Sequence, residues 1–337
     1  MNEPISLKDP RKLRPLAAQE KEHHMTEAKK YIAPSLLQPD NSDLVVAAAT
    51  SGFTINGVRI DRIIECTVPL EPIKIFLPSL TAETLASNRH WMQPWALDPQ
   101  DQIIVGIQSY VVRTAHHTIL VDTCVGNDKS RPGRGFMDRR TDAAWTSGLA
   151  ALGLSFEDID IVMCTHLHVD HVGWNTRLEN GRWEPSFPNA RYLFSEKELA
   201  YWTAQNEIEP VRHLVDSVLP VIAAGRHQLV SSSFELDDQV RLLPTPGHTP
   251  DHFAVVVGKG HDDVVFTGDL MHSPLQLLDP DLFTRVDTDK ALACTSRRAF
   301  LERYCGSDTI CCTAHFPELM GVRINRWGAG FRGDAIE

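Results

Sequence analysis

The chain has 337 residues, enough to bury a full core as one large domain or two. With 33 Lys and Arg against 44 Asp and Glu, the net charge is −11 and no basic cluster stands out, which argues against a nucleic-acid surface. Seven scattered cysteines read as reduced core thiols, and neither a signal-type segment nor an apolar run of membrane-spanning length is visible, so a cytoplasmic protein that engages no membrane is expected.

Residues 1–50 mix Lys, Glu, His and Pro without sustained periodicity. They read as an N-terminal extension, either mobile or in contact with a partner copy, as in a homodimer. The folded body, residues 51–337, opens on a hairpin, because Asn56-Gly57 separates two strand-like runs. The stretch from Pro78 to Gln102 reads as a long irregular segment, with Trp91 and Trp95 forming either a pocket wall or a small satellite core. Strands over 103–114 and 118–122 flank a tip at His116-His117. The second ends at Asp122, placed either to orient a ligand histidine or to cap the turn. Helical spacing over 142–152 ends at Gly153.

The apolar run Ile159–Cys164 then leads into Thr165-His166-Leu167-His168-Val169-Asp170-His171-Val172-Gly173. Strand side chains alternate faces, so His166 and His168 leave the strand end on one side, with Asp170 and His171 on the turn that follows. Four strong ligands within six residues form two chelating pairs, which points to two metal ions sharing a site. A lone histidine is more often a satisfied polar residue; this density at a strand end is not explained that way.

Further on, a strand over 190–194 meets Ser195, a predicted N-cap with Glu198 as its capping-box partner, and a second helix is expected over 210–224. Strands near 228–229, 240–243, 253–257, 264–267 and 309–313 follow, with a helix over 288–304 between the last two. His248, Asp269 and His315 each stand where one of these strands gives way to a loop. Strand ends converging on one rim would gather all seven candidates. Strands in two halves with interleaved helices favour two packed sheets with helices outside.

These motifs together, residues 165–173 with Pro246-Gly247-His248, Gly268-Asp269 and Ala314-His315, resemble the metallo-β-lactamase superfamily in order and over residues 53–320. The resemblance implies an α+β fold, an αββα four-layer sandwich with a two-metal site at one edge. It further implies that His166, His168 and His248 hold one ion, that Asp170, His171 and His315 hold the other, and that Asp269 bridges them. A carboxylate at Asp269 is similar to the hydrolase branches, among them glyoxalase II, quorum-quenching lactonases and methyl-parathion-type phosphotriesterases. Lactonases usually carry a Tyr three residues after that Asp, where this chain has His272. Asp251 and Cys124 also depart from the usual residues, so the site mouth is expected to differ.

The expected chemistry is hydrolysis of an ester or lactone, a small-molecule substrate, by a hydroxide shared between two divalent cations about 3.5–4 Å apart. Zinc suits the ligand set, and manganese, iron and cobalt are compatible with it. Asp170 or Asp269 would carry the proton to the leaving group, and His272 would donate to the developing oxyanion. A phosphotriester or thioester substrate is the alternative on the same site; a nuclease or a non-catalytic metal-binding module fits less well. Trp91, Trp95 and Trp174 hint at an apolar substrate.

Overall fold

A computed structural model describes residues 50–336. The expected extension, apart from Thr50, lies outside the described residues. The Asn56-Gly57 turn joins β1 (Thr50–Ile55) to β2 (Val58–Pro72), both turn residues taking positive φ as a two-residue hairpin loop requires. β3 (Gln102–Arg113) and β4 (Thr118–Val121) continue this sheet in antiparallel fashion. Then β5 (Ile161–Met163), β8 (Arg191–Ser195) and β9 (His227–Val230) add in parallel. A second sheet holds β10 (Val240–Pro244), β11 (Phe253–Val257), β12 (Val264–Phe266), β13 (Ile310–Cys312), β14 (Val322–Trp327) and β15 (Gly330–Ala335), with β12 and β13 parallel. Between β5 and β8, the strands β6 (Thr176–Glu179) and β7 (Arg182–Pro185) form a separate hairpin.

Three apolar layers explain the alternation along the strands. Phe253, Val255 and Val257 of β11 face the first sheet, meeting Val112, Val121 and Met163 in the layer between the sheets. Ala254 and Val256 point the other way, toward Phe300, Leu301 and Tyr304 of the helix Lys290–Tyr304. On the outer face of the first sheet, Val111, Leu120 and Val162 pack with Trp145 and Leu149 of the helix Ala144–Ala151. Strands covered on both faces are continuous apolar runs, as in β11 and β13. The result is the expected αββα sandwich.

Several elements differ from expectation. The stretch 78–102 contains a helix, Ala82–Met92, whose first turn is capped by the Thr81 hydroxyl accepting from the Thr84 amide. It buries only Leu85 and Met92, seven residues apart, so its apolar stripe is too thin to show in the sequence. Trp91 and Trp95 pack into the main helix-side core rather than a small satellite one, and they do not line the cavity described below. The helix expected over 210–224 is two pieces, Arg212–Ser217 and Leu219–Ala223, because Pro220 interrupts the amide ladder. The β6–β7 hairpin and β14–β15 had no counterpart in the sequence reading; Arg, Glu, Asn and Asp residues interrupt them, so none of the four is a continuous apolar run. No helix among the described residues is long and apolar enough to cross a membrane.

One close approach locks the loop after β4 against the loop after β5. A Cβ on Gly173 would lie 1.8 Å from the Val125 carbonyl oxygen. Gly173→Ala is therefore expected to lower unfolding free energy by about 2 kcal/mol or more, as overpacking at a rigid site does; urea denaturation measures it, and unchanged stability would show that the two loops part easily.

Candidate metal centre

The strand ends converge on one edge. β5 runs directly into the His166–His171 turn, β10 leads to His248, β12 to Asp269 and β13 to His315. Backbone bonds between loops fix their spacing. The Thr123 amide donates to the His171 carbonyl at 2.8 Å, Phe253 to Thr165 at 3.1 Å, Gly106 to His315 at 3.0 Å and Thr288 to His248 at 2.9 Å.

All seven predicted ligand candidates meet there, arranged around Asp269. Its Oδ2 lies 3.1 Å from His248 Nε2 and 3.5 Å from His166 Nε2, and His248 Nε2 is in turn 2.9 Å from His168 Nδ1. Its Oδ1 lies 3.1 Å from His171 Nε2 and 2.9 Å from His315 Nε2. Asp170 stands beside these last two, at 3.9 Å and 3.8 Å. One carboxylate thus gives one oxygen to each of two groups, His166/His168/His248 and Asp170/His171/His315.

The donor set fits cations. Among the described residues, His166 Nε2, His171 Nε2 and Asp269 Oδ1 are buried and make no aligned hydrogen bond, close as the last two lie to each other, a costly arrangement unless something else satisfies them. Burial, reinforced by neighbouring imidazoles, holds His166 and His168 well below the usual histidine range, so both offer free lone pairs. Burial is the largest single influence on His171, His248 and His315 too and opposes their charge, but Asp269 together with the neighbouring carboxylates Asp122, Asp170 and Asp287 outweighs it, raising all three and taking His248 to about 9. Burial would raise Asp269, yet the surrounding histidines hold it well below the carboxylate range. In effect, protons on His171, His248 and His315 neutralise Asp269 where cations would.

The ring nitrogens turned away from the centre are held by outer groups, which fixes each tautomer. Asp122 accepts from His171 Nδ1 at 2.9 Å, the role anticipated for it, and also accepts from the Thr165 amide. Its φ of +57° lets the chain turn the carboxylate under the next strand end. Asp287 bonds His248 Nδ1 at 2.8 Å, and the Gly106 carbonyl bonds His315 Nδ1 at 2.9 Å. Sequence reading missed Asp287 and Gly106; each is far from its partner along the chain and belongs to no local motif. It also missed Glu65, buried and accepting from Val125 N, Gly126 N and Trp174 Nε1 at 2.9, 3.0 and 2.7 Å, which anchors the loop after β4.

Other expectations are corrected. Ser195 caps its helix by accepting from the Glu198 amide, but the Glu198 carboxylate does not close the box. It accepts instead from the Leu167 and Asp251 amides and from Trp202 Nε1, bracing the metal-ligand turn. Cys124 and Asp251 do not form the mouth, since both are buried and neither lines the cavity; Asp251 accepts from Ser195 and Ser232. His252 accepts from the Asp269 amide at 3.0 Å and so positions that residue. Trp174 is buried on Glu65 rather than exposed to substrate.

A cavity of about 480 Å³ opens onto the cluster, with His168, Asp170, Asp269, His272 and His315 in its lining. His272 sits at its floor, Nε2 3.1 Å from Asp269 Oδ2 and its ring stacked on His315 at 5.0 Å. Leu70, Phe76, Ile107, Met137 and Val169 supply the apolar wall that the tryptophans do not. Four arginines, Arg131, Arg134, Arg212 and Arg285, also line it, a basic group that the linear sequence disperses.

The sequence profile of the metallo-beta-lactamase superfamily matches residues 104–303. An N-acyl homoserine lactonase from Bacillus sp is 25% identical over 213 residues, covering 60% of this chain and 78% of the relative. Among solved structures, hydrolase AbOPH of the beta lactamase superfamily superposes with a TM-score of 0.72 at 20% identity, covering 87% of this chain and 98% of that one. AidC, a dizinc quorum-quenching lactonase in complex with a product, does so with a TM-score of 0.72 at 22% identity, covering 86% and 98%.

Two outcomes follow from this geometry. Asp122→Asn and Asp287→Asn should each weaken cation retention by roughly 10–100-fold against a competing chelator; unchanged retention would make both carboxylates structural only. Because cations and protons compete for the same lone pairs, metal loading at pH 7 should acidify a weakly buffered solution. The His248 share of that release should vanish above pH 9, near its own titration. Loading at pH 7 without proton release would contradict the arrangement.

Proposed function

The chain belongs to the metallo-β-lactamase superfamily, a metal-dependent hydrolase, and we propose that it cleaves esters or lactones at a dinuclear zinc site built on residues 51–337. The observation that carries this reading is Asp269, whose two oxygens face two separate ligand groups. Under it, His166, His168 and His248 hold one cation, Asp170, His171 and His315 hold the other, and Asp269 touches both. Bound there, a cation pair supplies a water of lowered pKa and Lewis acidity toward an acyl oxygen.

The chain's own groups account for the rest. The apolar wall formed by Phe76, Ile107 and Val169 excludes water from the substrate's hydrocarbon portion and steers its carbonyl toward the cluster. Asp170, partly exposed to the cavity, receives a proton and passes it to the leaving oxygen. Asp269 is engaged by histidines on both oxygens, which favours Asp170 over it for that transfer. His272 lines the cavity with Nε2 3.1 Å from Asp269 Oδ2; with that oxygen turned to a cation, the Nε2–H would be released to donate to the acyl oxygen as negative charge develops on it. N-acyl homoserine lactonase relatives and the dizinc lactonase neighbour support the lactone side of this reading.

Ala at His168 or Asp269 should remove bound metal and turnover together, as metal analysis beside an ester and lactone assay reads; turnover retained without metal would refute the mechanism. His272→Phe should cut kcat by about 10²-fold, the usual loss of one oxyanion donor, with metal content intact. Unchanged kcat would make His272 a support for Asp269 alone. On a panel of lactone, ester, thioester and phosphotriester substrates, the first two are expected to show the highest kcat/KM, and dominance by a phosphotriester would replace the proposed substrate class.

A further inference from the structure

We propose that the substrate carries, besides the acyl bond to be cleaved, a remote carboxylate that Arg134 and Arg212 bind at the cavity wall. This rests on the hydrolase reading above and narrows its substrate class to anionic esters or lactones.

The starting point is a charge inventory of the cavity. Of its four arginines, Arg131 makes a bidentate pair with Asp216 at 2.6 and 2.8 Å, and Arg285 is paired with Glu71 at 2.6 Å. Arg134 and Arg212 are exposed and, among the described residues, have no carboxylate within ion-pair distance. The lining carboxylates, Asp170 and Asp269, belong to the metal-ligand cluster. A chain of net charge −11 therefore places two uncompensated guanidiniums in the cavity where its substrate binds.

The two are not independent surface side chains. Arg134 lies on the loop between β4 and the helix Ala144–Ala151, and Arg212 opens the helix Arg212–Ser217. The buried Arg131–Asp216 pair clamps that loop to that helix, and Lys129 Nζ adds a bond to the Asp216 carbonyl at 3.1 Å. One braced unit carries both cations. Guanidinium forks match carboxylate geometry, and two of them hold an anion more firmly than one.

The same unit reaches the reacting end. His213, next to Arg212, lies edge-on to Trp202 with centroids 5.0 Å apart, and Trp202 lies edge-on to His168 at 5.4 Å. His213 lines the cavity and its Nε2 is buried with no hydrogen-bond partner among the described residues, an unmet polar group of the kind a bound ligand satisfies. The same cavity is lined by apolar residues such as Met137 and Val169, which suit a short hydrocarbon spacer.

The test uses matched pairs on metal-loaded enzyme. Glutaramate and pentanamide, amides that differ by a terminal carboxylate, are compared by calorimetric binding. 4-Nitrophenyl hydrogen glutarate and 4-nitrophenyl pentanoate are compared by kcat/KM. The wild type should favour the anionic member of each pair by about tenfold, the scale of one good charge-assisted contact set. The preference should disappear in the Arg134→Gln/Arg212→Gln double variant and shrink with added salt. A wild type that prefers the neutral members overturns the proposal. So does a carboxylate preference that survives in the double variant, since the anion would then sit on the metal-ligand cluster. If the binding preference behaves as expected but neither ester is cleaved, the anion site stands and the ester hydrolase reading fails.

Discussion

The structure is organised around one carboxylate that has been taken out of water. Asp269 is 3% exposed, and both its oxygens are surrounded by imidazole nitrogens from three other strand ends. An unpaired carboxylate at such a place costs several kcal/mol, so the fold keeps it only with positive charge on both sides. Protonated histidines can meet that demand, and so can cations. The neutral state of His166 and His168 and the orphaned Nε2 atoms favour the second answer. Every other feature of the site can be seen as a means of holding those nitrogens at fixed distances from Asp269.

Rigidity is achieved by a second ring of groups whose own positions are set by the sandwich. Asp122, Asp287 and the Gly106 carbonyl each hold one ligand imidazole by the nitrogen that faces outward. Glu65 and Gly173 hold the loop after β4, from which Asp122 hangs. Because β4, β5, β12 and β13 are short and buried, their ends cannot shift without disturbing the layer between the sheets. Site geometry and core packing are thus one problem in this chain, and a core substitution far from the metal-ligand cluster can reach it.

How much of this could be read from the residues depends on the distance over which each signal acts. The ligand set was legible because its densest part, residues 165–173, is local, and because His248, Asp269 and His315 stand at strand ends that show as apolar runs. Those runs also gave the two sheets. Partners across the fold were illegible: nothing near Asp287 indicates that it faces His248, 39 residues earlier. Elements with a thin or missing apolar stripe were lost for a related reason, as the helix Ala82–Met92 and β6–β7 show. The arginines of the cavity wall are separated in the chain and gathered only by folding, so a search for clustered basic residues passes over them. Tryptophans were the converse error; their size and indole N–H drew them into the core, where Trp174 is bound by Glu65 and Trp95 by the Trp91 carbonyl.

The most direct test of the central claim is to count and locate the ions. Elemental analysis of the purified protein, combined with anomalous scattering from its crystals, should find two divalent ions per chain, one beside each oxygen of Asp269. One of them is expected to touch His166, His168 and His248, and the other Asp170, His171 and His315. A single ion, none, or ions seated elsewhere with these side chains hydrogen-bonded only to one another would contradict it.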